Sequence, residues 1–258
     1  MKVIKIGGAE VASPHMATVW AYIRMQQLAG ESVVVVHGGG PQLTKLAKEL
    51  GHMPEIIQGR RVTGDLDLHL IQWIIRGQLN AQLSSQAMVA GVKAVGVSGV
   101  DGGLVRVIKR PVWQIEGREV DFGWVGDVQQ IQPEPLLALM NAGFVPIVAT
   151  MGVDETGQIY NVNGDTVGLE LAKALGADEI ILVTESGGLR RNQHDPESHI
   201  SVCDAPLATS GIAAGWIQGG MLVKLVEAQK ALRAGIGAVL LIRAEDMAQP
   251  EKGTKVVL

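Results

Sequence analysis

The sequence has a single cysteine, Cys203, and no long hydrophobic run. One cysteine excludes an internal disulfide and a zinc site built from several cysteines, so a cytosolic protein is expected. No apolar stretch reaches the roughly 18 residues that a membrane-spanning helix needs. The N-terminus runs directly into a strand-like segment without the features of a signal peptide. A membrane or secreted disulfide-rich protein is therefore not expected.

An excess of positive charge is also absent, because the formal net charge is −4 at pH 7. Nucleic-acid binding calls for a basic face that neutralises phosphates, so nucleic acid is not expected as a partner. The chain also lacks internal repeats, low-complexity tracts and Pro/Ser-rich linkers. What is present, 47% hydrophobic and 19% charged residues over a length of 258, is typical of a compact protein with a sizeable core.

Short β-branched runs recur along the chain and predict strands at 3–6, 33–36, 94–97, 145–149, 180–184 and 238–242. Several are apolar at consecutive positions, as strands covered by helices on both faces tend to be. Helices are predicted between them, at 17–29, 41–50, 67–90, 133–142, 165–175 and 221–234. This alternation indicates an α/β fold around a mostly parallel sheet.

The segment 105–127 differs, because Val, Trp and charged residues surround Glu116-Gly117, which predicts a β-hairpin. Two lobes are expected to share one continuous sheet, with a boundary near residue 170. Three methionines, Met53, Met88 and Met151, lie in apolar surroundings and are predicted to fill the core.

Two glycine clusters follow the first two predicted strands, Lys5-Ile6-Gly7-Gly8 and His37-Gly38-Gly39-Gly40-Pro41. Glycine allows close approach to a ligand, and backbone amides with a lysine ammonium suit phosphate oxygens. Tight strand-to-helix turns explain the same residues, and both interpretations stay open. Neither cluster matches the GxxxxGK[ST] loop or the GxGxxG fingerprint, so a dehydrogenase is not favoured. His37 is interpreted as a structural histidine.

Two further polar clusters could bind an anionic acceptor. Arg60-Arg61 could clamp a carboxylate through the guanidinium fork, although a solvated pair before a helix explains it equally well. The stretch 160–165, Tyr-Asn-Val-Asn-Gly-Asp, ends where a helix begins, and Asp165 could serve as its N-cap. Capping alone does not account for its two asparagines.

The last clusters are Thr184-Glu185-Ser186-Gly187-Gly188, after a predicted strand, and the stretch 219–224, Gly-Gly-Met-Leu-Val-Lys, at a helix start. Strand ends of an open α/β sheet converge on the edge where ligands bind. Lys224 lies about one turn into its helix, where ammonium and amides can face one anion. The alternative is a solvated lysine on an amphipathic helix.

Taken together, these motifs resemble the amino acid kinase family over nearly the whole chain. The matching segments are 5–8, 36–40, 61–63, 123–127, 143–148, 161–165, 219–224 and 253–254. The resemblance implies a three-layer α/β/α sandwich, with an N-terminal lobe (1–170) for the amino-acid substrate and dimerisation, and a C-terminal lobe (171–258) for ATP.

The resemblance also implies roles for individual residues. Lys5 and Lys224 would stabilise the transferring phosphoryl group, and Asp165 would hold both lysines. The other implied contacts fall into two groups. The acceptor would be bound by Gly39, Gly40, Arg61, Asn161 and Asn163, and ATP by Gly7, Gly8, Glu185, Gly188, Gly219 and Gly220. No metal ligand from the protein is implied, because Mg²⁺ would be held mainly by phosphate oxygens.

The implied reaction transfers the γ-phosphoryl group of ATP to the γ-carboxylate of N-acetyl-L-glutamate. Carrier-protein-linked aminoadipate or glutamate is the alternative acceptor, and a non-catalytic regulatory subunit is the alternative of another class. Two departures stand out: Glu185 occupies the place of the family's aspartate, and Gly64 the place of a frequent acidic residue. No N-terminal extension precedes the first strand, which favours an arginine-insensitive homodimer.

Overall fold

The computed structural model of the protein describes residues 1–192 and 195–258. These residues form the helices α1 (Met16–Leu28), α2 (Gly40–Glu49), α3 (Asp65–Ile71), α4 (Asn80–Val89), α5 (Glu134–Asn141), α6 (Gly164–Ala174), α7 (Ala205–Ala213) and α8 (Gly219–Arg233). The strands are β1 (Lys2–Ile6), β2 (Val33–His37), β3 (Ile56–Ile57), β4 (Arg60–Arg61), β5 (Ala94–Ser98), β6 (Val105–Lys109), β7 (Trp113–Ile115), β8 (Arg118–Val120), β9 (Gly126–Ile131), β10 (Val145–Ala149), β11 (Met151–Val153), β12 (Ile159–Asn161), β13 (Glu179–Val183), β14 (Val202–Cys203), β15 (Ala238–Ile242) and β16 (Thr254–Val256).

Eight strands form one continuous sheet in the order β14-β16-β15-β13-β1-β2-β10-β5. Neighbouring strands are parallel except for β15 and β16, which are antiparallel. All six strands predicted from β-branched runs lie in the parallel part, so that prediction is confirmed. A second sheet, β12-β11-β6-β9, and two small hairpins, β3-β4 and β7-β8, lie outside it.

Side chains of β1 alternate between two cores, because successive residues of a strand point to opposite faces. Val3 belongs to the core that includes residues of α6 and α8. Ile4 and Ile6 belong to the core built with α1 and α4. Helices therefore cover both faces of the sheet, and the predicted α/β/α sandwich is confirmed. The same alternation places Lys5 on the α6 side.

The hairpin predicted around Glu116-Gly117 is present as β7 and β8, with Trp113 opposite Val120. Both turn residues have positive φ, 52° at Glu116 and 77° at Gly117, as a two-residue turn joining right-twisted strands requires. The long helix predicted at 67–90 begins at Asp65, and its middle, Gln72–Leu79, is π-helical.

Two of the three methionines contradict the core prediction. Met151 is buried with 2% exposure, but Met53 and Met88 are 74% and 69% exposed. Apolar neighbours in the sequence do not show whether a side chain is buried, and the side chains of Met53 and Met88 face outward. Cys203 is buried, and burial raises the pKa of its thiol to about 11. Within the described residues, every helix is too short or too polar to cross a bilayer.

Candidate active site

The glycine clusters meet at one edge of the main sheet. β1 lies between β2 and β13, and in register Ile6 is opposite His37 on one side and Val183 on the other. The carboxyl ends of these parallel strands therefore lead directly into 7–8, 38–40 and 184–188. This is the edge of an open α/β sheet at which ligands bind.

Among the backbone amides near this edge, those of Gly8, Gly39 and Gly40 have no acceptor in the described part of the chain. A β-carbon on Gly8 would lie 2.9 Å from Pro41 Cδ and 3.0 Å from the Gly40 nitrogen, so only glycine fits against the first turn of α2. A β-carbon on Gly39 would collide with Leu79. The nitrogens of Gly40 and Gly39 lie only 3.0 Å and 3.3 Å from the β-carbon position of Gly8, so the amides of Gly8, Gly39 and Gly40 lie close together, and clustered backbone N–H groups are donors for anions.

Gly7 differs from Gly8 because its own hydrogen bonds are made. Its N–H donates to the carbonyl of Val183 at 2.9 Å, and its carbonyl accepts from the N–H of Val11 at 3.2 Å. A β-carbon on Gly7 would lie 3.1 Å from the Val183 oxygen. Gly7 is therefore a close-packing position between β1 and β13, and contact of Gly7 with ATP stays a prediction.

Lys5 reaches the same edge from the α6 side of β1. Its Nζ lies 2.6 Å from Asp165 Oδ1, and its side chain is only 11% exposed. β-carbons on Gly164 and Gly168 would lie 3.5–3.6 Å from the carbons of Lys5, at van der Waals contact, so the lysine stem runs along α6 at these two glycines. The predicted pairing of Lys5 with Asp165 is present.

The N-terminus of α6 is capped by Asn163 and not by Asp165 as the sequence suggested. Asn163 Oδ1 accepts hydrogen bonds from the N–H groups of Asp165 at 2.9 Å and Thr166 at 3.1 Å. Asp165 is the second helical residue, and its carboxylate is thereby left for Lys5. Contact of Asn163 with a substrate stays a prediction, since its amide oxygen already serves the helix.

Arg61 is fixed by partners that the sequence did not reveal. Its Nη1 donates to Asp67 Oδ1 at 3.2 Å and its Nη2 donates to Thr44 Oγ1 at 2.6 Å. Arg61 and Asp67 side chains are 8% and 6% exposed, and His52 Nε2 lies 3.0 Å from Asp67 Oδ2. A guanidinium has five N–H donors, so three remain for a ligand. Arg61 borders an open groove of about 670 Å³ that Gly40 also lines.

Asn161 is brought close to the Arg61 segment by the loop containing Gly123 and Trp124. Thr63 N–H donates to Phe122 O at 2.9 Å, and Trp124 N–H donates to Thr63 O at 2.8 Å. Asn161 N–H donates to Trp124 O at 2.9 Å, and its Nδ2 donates to Thr63 Oγ1 at 3.1 Å. Arg61 and Asn161, 100 positions apart, are thus held on one framework.

The indole of Trp124 adds a further connection to this framework. Its Nε1 donates to Asp65 Oδ1 at 2.6 Å, at the start of α3. A side chain at Gly123 would collide with the backbone of Thr63. The motif at 123–127 therefore connects the segment after Arg61 with Asn161, a structural role that the sequence motif alone did not specify.

The β7-β8 hairpin packs near this framework through contacts between arginines and Trp113. Trp113 of β7 has the guanidinium carbons of Arg60 and Arg110 at 5.1 Å and 4.8 Å from its ring centre. Arg110 is in turn fixed to Asp127, with Nη2 to Oδ1 at 2.7 Å. The β3-β4 hairpin that carries Arg61 is thus attached to β7-β8.

Lys224 lines a cavity of about 590 Å³ together with residues that follow β13. This cavity brings together four residues assigned to ATP or phosphate by the sequence, Glu185, Gly188, Gly219 and Lys224. Gly220 follows Gly219 in the first turn of α8. Sequence reasoning missed further lining residues, among them Arg190, Trp216, Gln218 and Arg243, because no motif marks them.

The second lysine is not paired as expected. Among the described residues Asp165 forms an ion pair with Lys5 only, and Lys224 has no ion pair within 4.0 Å. Asp165 does line a small crevice with Glu227 and Ala228 of α8, one turn beyond Lys224. In the described ranges, 1–192 and 195–258, the Lys224 ammonium thus has no carboxylate partner next to the predicted phosphate position.

Glu10, buried in the turn after β1, lies near the cavity residue Glu185. Burial raises the pKa of Glu10, and the nearby negative charges of Glu185 and Glu245 raise it further, against a hydrogen bond from Ser13 that lowers it. Glu185, in the place of the family's aspartate, is exposed at the cavity. Its longer side chain is free to approach a bound ligand.

His37 is a buried structural residue, as predicted. Its Nδ1 lies 2.9 Å from the carbonyl of Gly38 and its Nε2 lies 3.0 Å from the Nδ2 donor of Asn80. These partners require the tautomer with the proton on Nδ1. Burial lowers the pKa of His37 to about 4, with a smaller effect from Arg76 and an opposing one from Gly38. His37 therefore stays neutral and supports the 38–40 turn.

Comparison with known proteins identifies the family of this chain and several relatives that are similar to it over most of their length. The model of the amino acid kinase family matches residues 1–241. The chain is 39% identical over 242 residues to the acetylglutamate kinase of Symbiobacterium thermophilum, covering 93% of this chain and 83% of the relative. It is 39% identical over 243 residues to the acetylglutamate kinase of Anaeromyxobacter dehalogenans, covering 93% and 90%.

Among solved structures, smu.665 from Streptococcus mutans superposes with a TM-score of 0.82 at 27% identity. The alignment covers 99% of this chain and 98% of that protein. The same arrangement of layers and strands is therefore found along the whole length of both chains.

Proposed function

Because the chain belongs to the amino acid kinase family, we propose that it is an acetylglutamate kinase. It transfers the γ-phosphoryl group of ATP to the γ-carboxylate of N-acetyl-L-glutamate, a step of arginine biosynthesis. The relatives of 39% identity carry this name. The observation that carries the proposal is the Lys5–Asp165 ion pair of 2.6 Å, whose lysine side chain is 11% exposed, at the sheet edge where the amides of Gly8, Gly39 and Gly40 have no acceptor among the residues described.

The reaction suits a site without a strong base. The attacking γ-carboxylate is already ionised at pH 7, so the protein needs only to align the reactants and neutralise charge. Lys5 approaches from β1, and Lys224 approaches from α8 without a counter-ion among the residues that the structure describes. The amides of Gly8, Gly39 and Gly40 supply fixed donors for phosphate oxygens.

The acceptor end is assigned to Arg61 and Asn161. The three free N–H groups of Arg61 match a carboxylate in a fixed orientation, since Asp67 and Thr44 hold the guanidinium. Asn161 keeps its amide oxygen for the single N–H of an acetamido group. Gly40 and Asn163 complete this end of the site.

ATP is assigned to the cavity lined by Glu185, Gly188, Gly219 and Lys224, with Gly220 beside them. Mg²⁺, when bound, would neutralise phosphate charge and take most of its oxygens from ATP and water. In the part of the chain described, no group of three or more His, Cys, Asp or Glu side chains could hold a metal ion. Glu185 is the carboxylate placed best to assist through water.

A substrate screen by coupled ADP release tests this assignment. We expect turnover with N-acetyl-L-glutamate in the presence of MgATP and little turnover with unacetylated L-glutamate. The screen includes carrier-protein-linked aminoadipate and glutamate. Turnover with a carrier-linked acid alone would contradict the acceptor assignment, and turnover with none of the acids would favour a regulatory subunit.

We also propose a division into lobes, residues 1–170 for the acceptor and 171–258 for ATP, although position 170 lies inside α6.

A cytoplasmic homodimer is also proposed for this protein. Exposed apolar side chains on and near the long helix support self-association, among them Trp73 at 59% and Val89 at 82% exposure. Sedimentation velocity should give twice the 27.3 kDa of one chain, and a mass of 27.3 kDa would exclude the dimer.

A further inference from the structure

Asp67, the third residue of α3, divides its two carboxylate oxygens between two partners. Its Oδ1 accepts a hydrogen bond from Arg61 Nη1 at 3.2 Å, and its Oδ2 lies 3.0 Å from His52 Nε2. Because a carboxylate can only accept, the Nε2 of His52 carries the proton of this hydrogen bond. No sequence motif marks His52, and only the fold brings it to the partner of Arg61.

His52 is held in place by the end of α2. Its N–H donates to the carbonyl of Ala47 at 2.8 Å, and its side chain is 29% exposed, compared with 6% for Asp67. Thr44, which accepts the other hydrogen bond of Arg61, lies on the same helix. The α2 segment therefore supplies one partner to the guanidinium and one to the carboxylate that pairs with it.

The Arg61–Asp67 pair has an unusual form for such neighbours. A guanidinium and a carboxylate often form a bidentate pair with two parallel N–H···O bonds. Here one hydrogen bond joins the two side chains, and the second oxygen faces His52. Both side chains are nearly enclosed, so an oxygen deprived of His52 would be costly to leave unpaired. A second N–H of Arg61 is then the nearest replacement donor.

A bidentate pair would reduce what Arg61 can offer to a ligand. A guanidinium has five N–H groups, of which Asp67 and Thr44 take one each. Capture of one more by Asp67 leaves fewer donors for an acid and rotates the guanidinium from the orientation that Thr44 fixes. Recognition of a carboxylate depends on this orientation, because the donors lie in a rigid fork.

We propose that His52 is a positioning residue for the acceptor, because it binds the second oxygen of Asp67 and thereby keeps Arg61 open to the carboxylate of the acid. It acts through Asp67, and it is not one of the described residues that line the groove beside Arg61. The inference rests on the proposed function, since it assumes that Arg61 binds the acceptor. It goes further by assigning the availability of Arg61 to a histidine.

The test is His52→Leu, which removes the N–H donor but keeps a side chain of similar volume. We expect the KM for N-acetyl-L-glutamate to rise about tenfold, as for the loss of one hydrogen bond to the ligand. The KM for ATP and kcat should each change less than about twofold, because the phosphates are bound by other residues. Steady-state kinetics with each substrate varied in turn measures all three constants.

Two variants and a stability measurement separate this role from a structural one. His52→Gln keeps an N–H donor near the place of Nε2 and should restore most of the lost affinity for the acceptor. The matched control His69→Leu, at an exposed histidine of α3, should leave the three constants within about twofold of the wild type. In urea unfolding, the midpoint of His52→Leu should stay close to that of the wild type, because Arg61 replaces the lost donor.

A double-mutant cycle tests the mechanism itself. The side-chain amide of Asp67→Asn has a single acceptor oxygen, so it cannot form a bidentate pair with a guanidinium. In the Asp67→Asn background, His52→Leu should therefore no longer raise the KM for the acceptor.

Each outcome decides the inference. An unchanged acceptor KM in His52→Leu, with or without a loss of stability, would overturn it, and so would an equal rise in the KM for ATP or the same rise in the Asp67→Asn background. The proposed function would survive these results. If the wild type uses only a carrier-linked acid, the KM for that acid decides the role of His52 in the same way. A wild type that phosphorylates none of the acids would overturn both.

Discussion

Replacing Asp165 with asparagine perturbs the centre of the proposed site with the least change in shape. The carboxylate lies 2.6 Å from Lys5 Nζ, and the two side chains are 27% and 11% exposed. Asparagine can still accept a hydrogen bond, but it supplies no negative charge. Lys5 would then be a largely buried cation without a counter-ion.

The expected cost follows from burial and charge. A hydrogen bond between charged groups contributes about 1.5 to 3 kcal/mol, and the partial exposure of Asp165 reduces this to about 1 to 2 kcal/mol of unfolding free energy. The effect on kcat should be larger, since misplacing one electrostatic stabiliser of a transition state costs about 10²- to 10³-fold. The KM for the acceptor should change little, because Arg61 and Asn161 are untouched.

Urea unfolding and steady-state kinetics measure the two effects separately. Glu170→Gln on the same helix is the matched control, because it breaks the exposed Lys173–Glu170 pair of 2.8 Å. That variant should lose less than about 0.5 kcal/mol and keep its kcat. A kcat of Asp165→Asn within threefold of the wild type would refute the role assigned to the ion pair.

Three further predictions concern the surroundings of the site. Gly8→Ala should lower kcat/KM for ATP at least about tenfold, because its β-carbon would lie 2.9 Å from Pro41 Cδ. The control Gly38→Ala, where a β-carbon would meet open space, should stay within threefold of the wild type, and equal effects in the two variants would contradict the prediction. His37 is buried in its neutral form, and its pKa is lowered to about 4, so the free energy of unfolding should fall by about 3 kcal/mol as pH falls from about 6.5 towards 4. Urea unfolding at several pH values should show this loss in the wild type and a smaller loss in His37→Asn, and parallel pH profiles would contradict the prediction. Trp113→Ala should raise the KM for the acceptor about threefold to tenfold without changing the KM for ATP, because the cation–π contact with Arg60 of the β3-β4 hairpin is lost together with the one with Arg110. An unchanged KM for the acceptor would contradict this role of Trp113.

The parallel strands were predictable because they are buried on both faces and read as continuous β-branched runs. The short strands were not, since β12, β14 and β16 span only two or three residues each and owe their pairing to distant segments. The same limit applies to Met53 and Met88, whose neighbours in sequence are apolar but whose side chains face outward. Local composition carries no information about which face a residue will occupy.

In the site, the residues at strand and helix ends were predictable from the sequence, but the side chains that hold them in place were not. Lys5, Asp165 and the glycine clusters stand where the ends of β1, β2 and α6 must meet. The partners of Arg61, which are Asp67 and Thr44, follow only from how α2 and α3 pack. The helix cap is Asn163 and not Asp165 because α6 begins at Gly164, and sequence patterns rarely fix a helix start to within two residues.

The most direct test of the central claim is chemical trapping of the product. Wild-type protein with N-acetyl-L-glutamate, MgATP and hydroxylamine should give a hydroxamate from an acyl phosphate, in proportion to the ADP released. Lys224→Met should form it much more slowly with a similar KM, because the lysine stabilises charge in the transition state. ADP release by the wild type without hydroxamate, or an unchanged rate in Lys224→Met, would contradict carboxylate phosphorylation at this site.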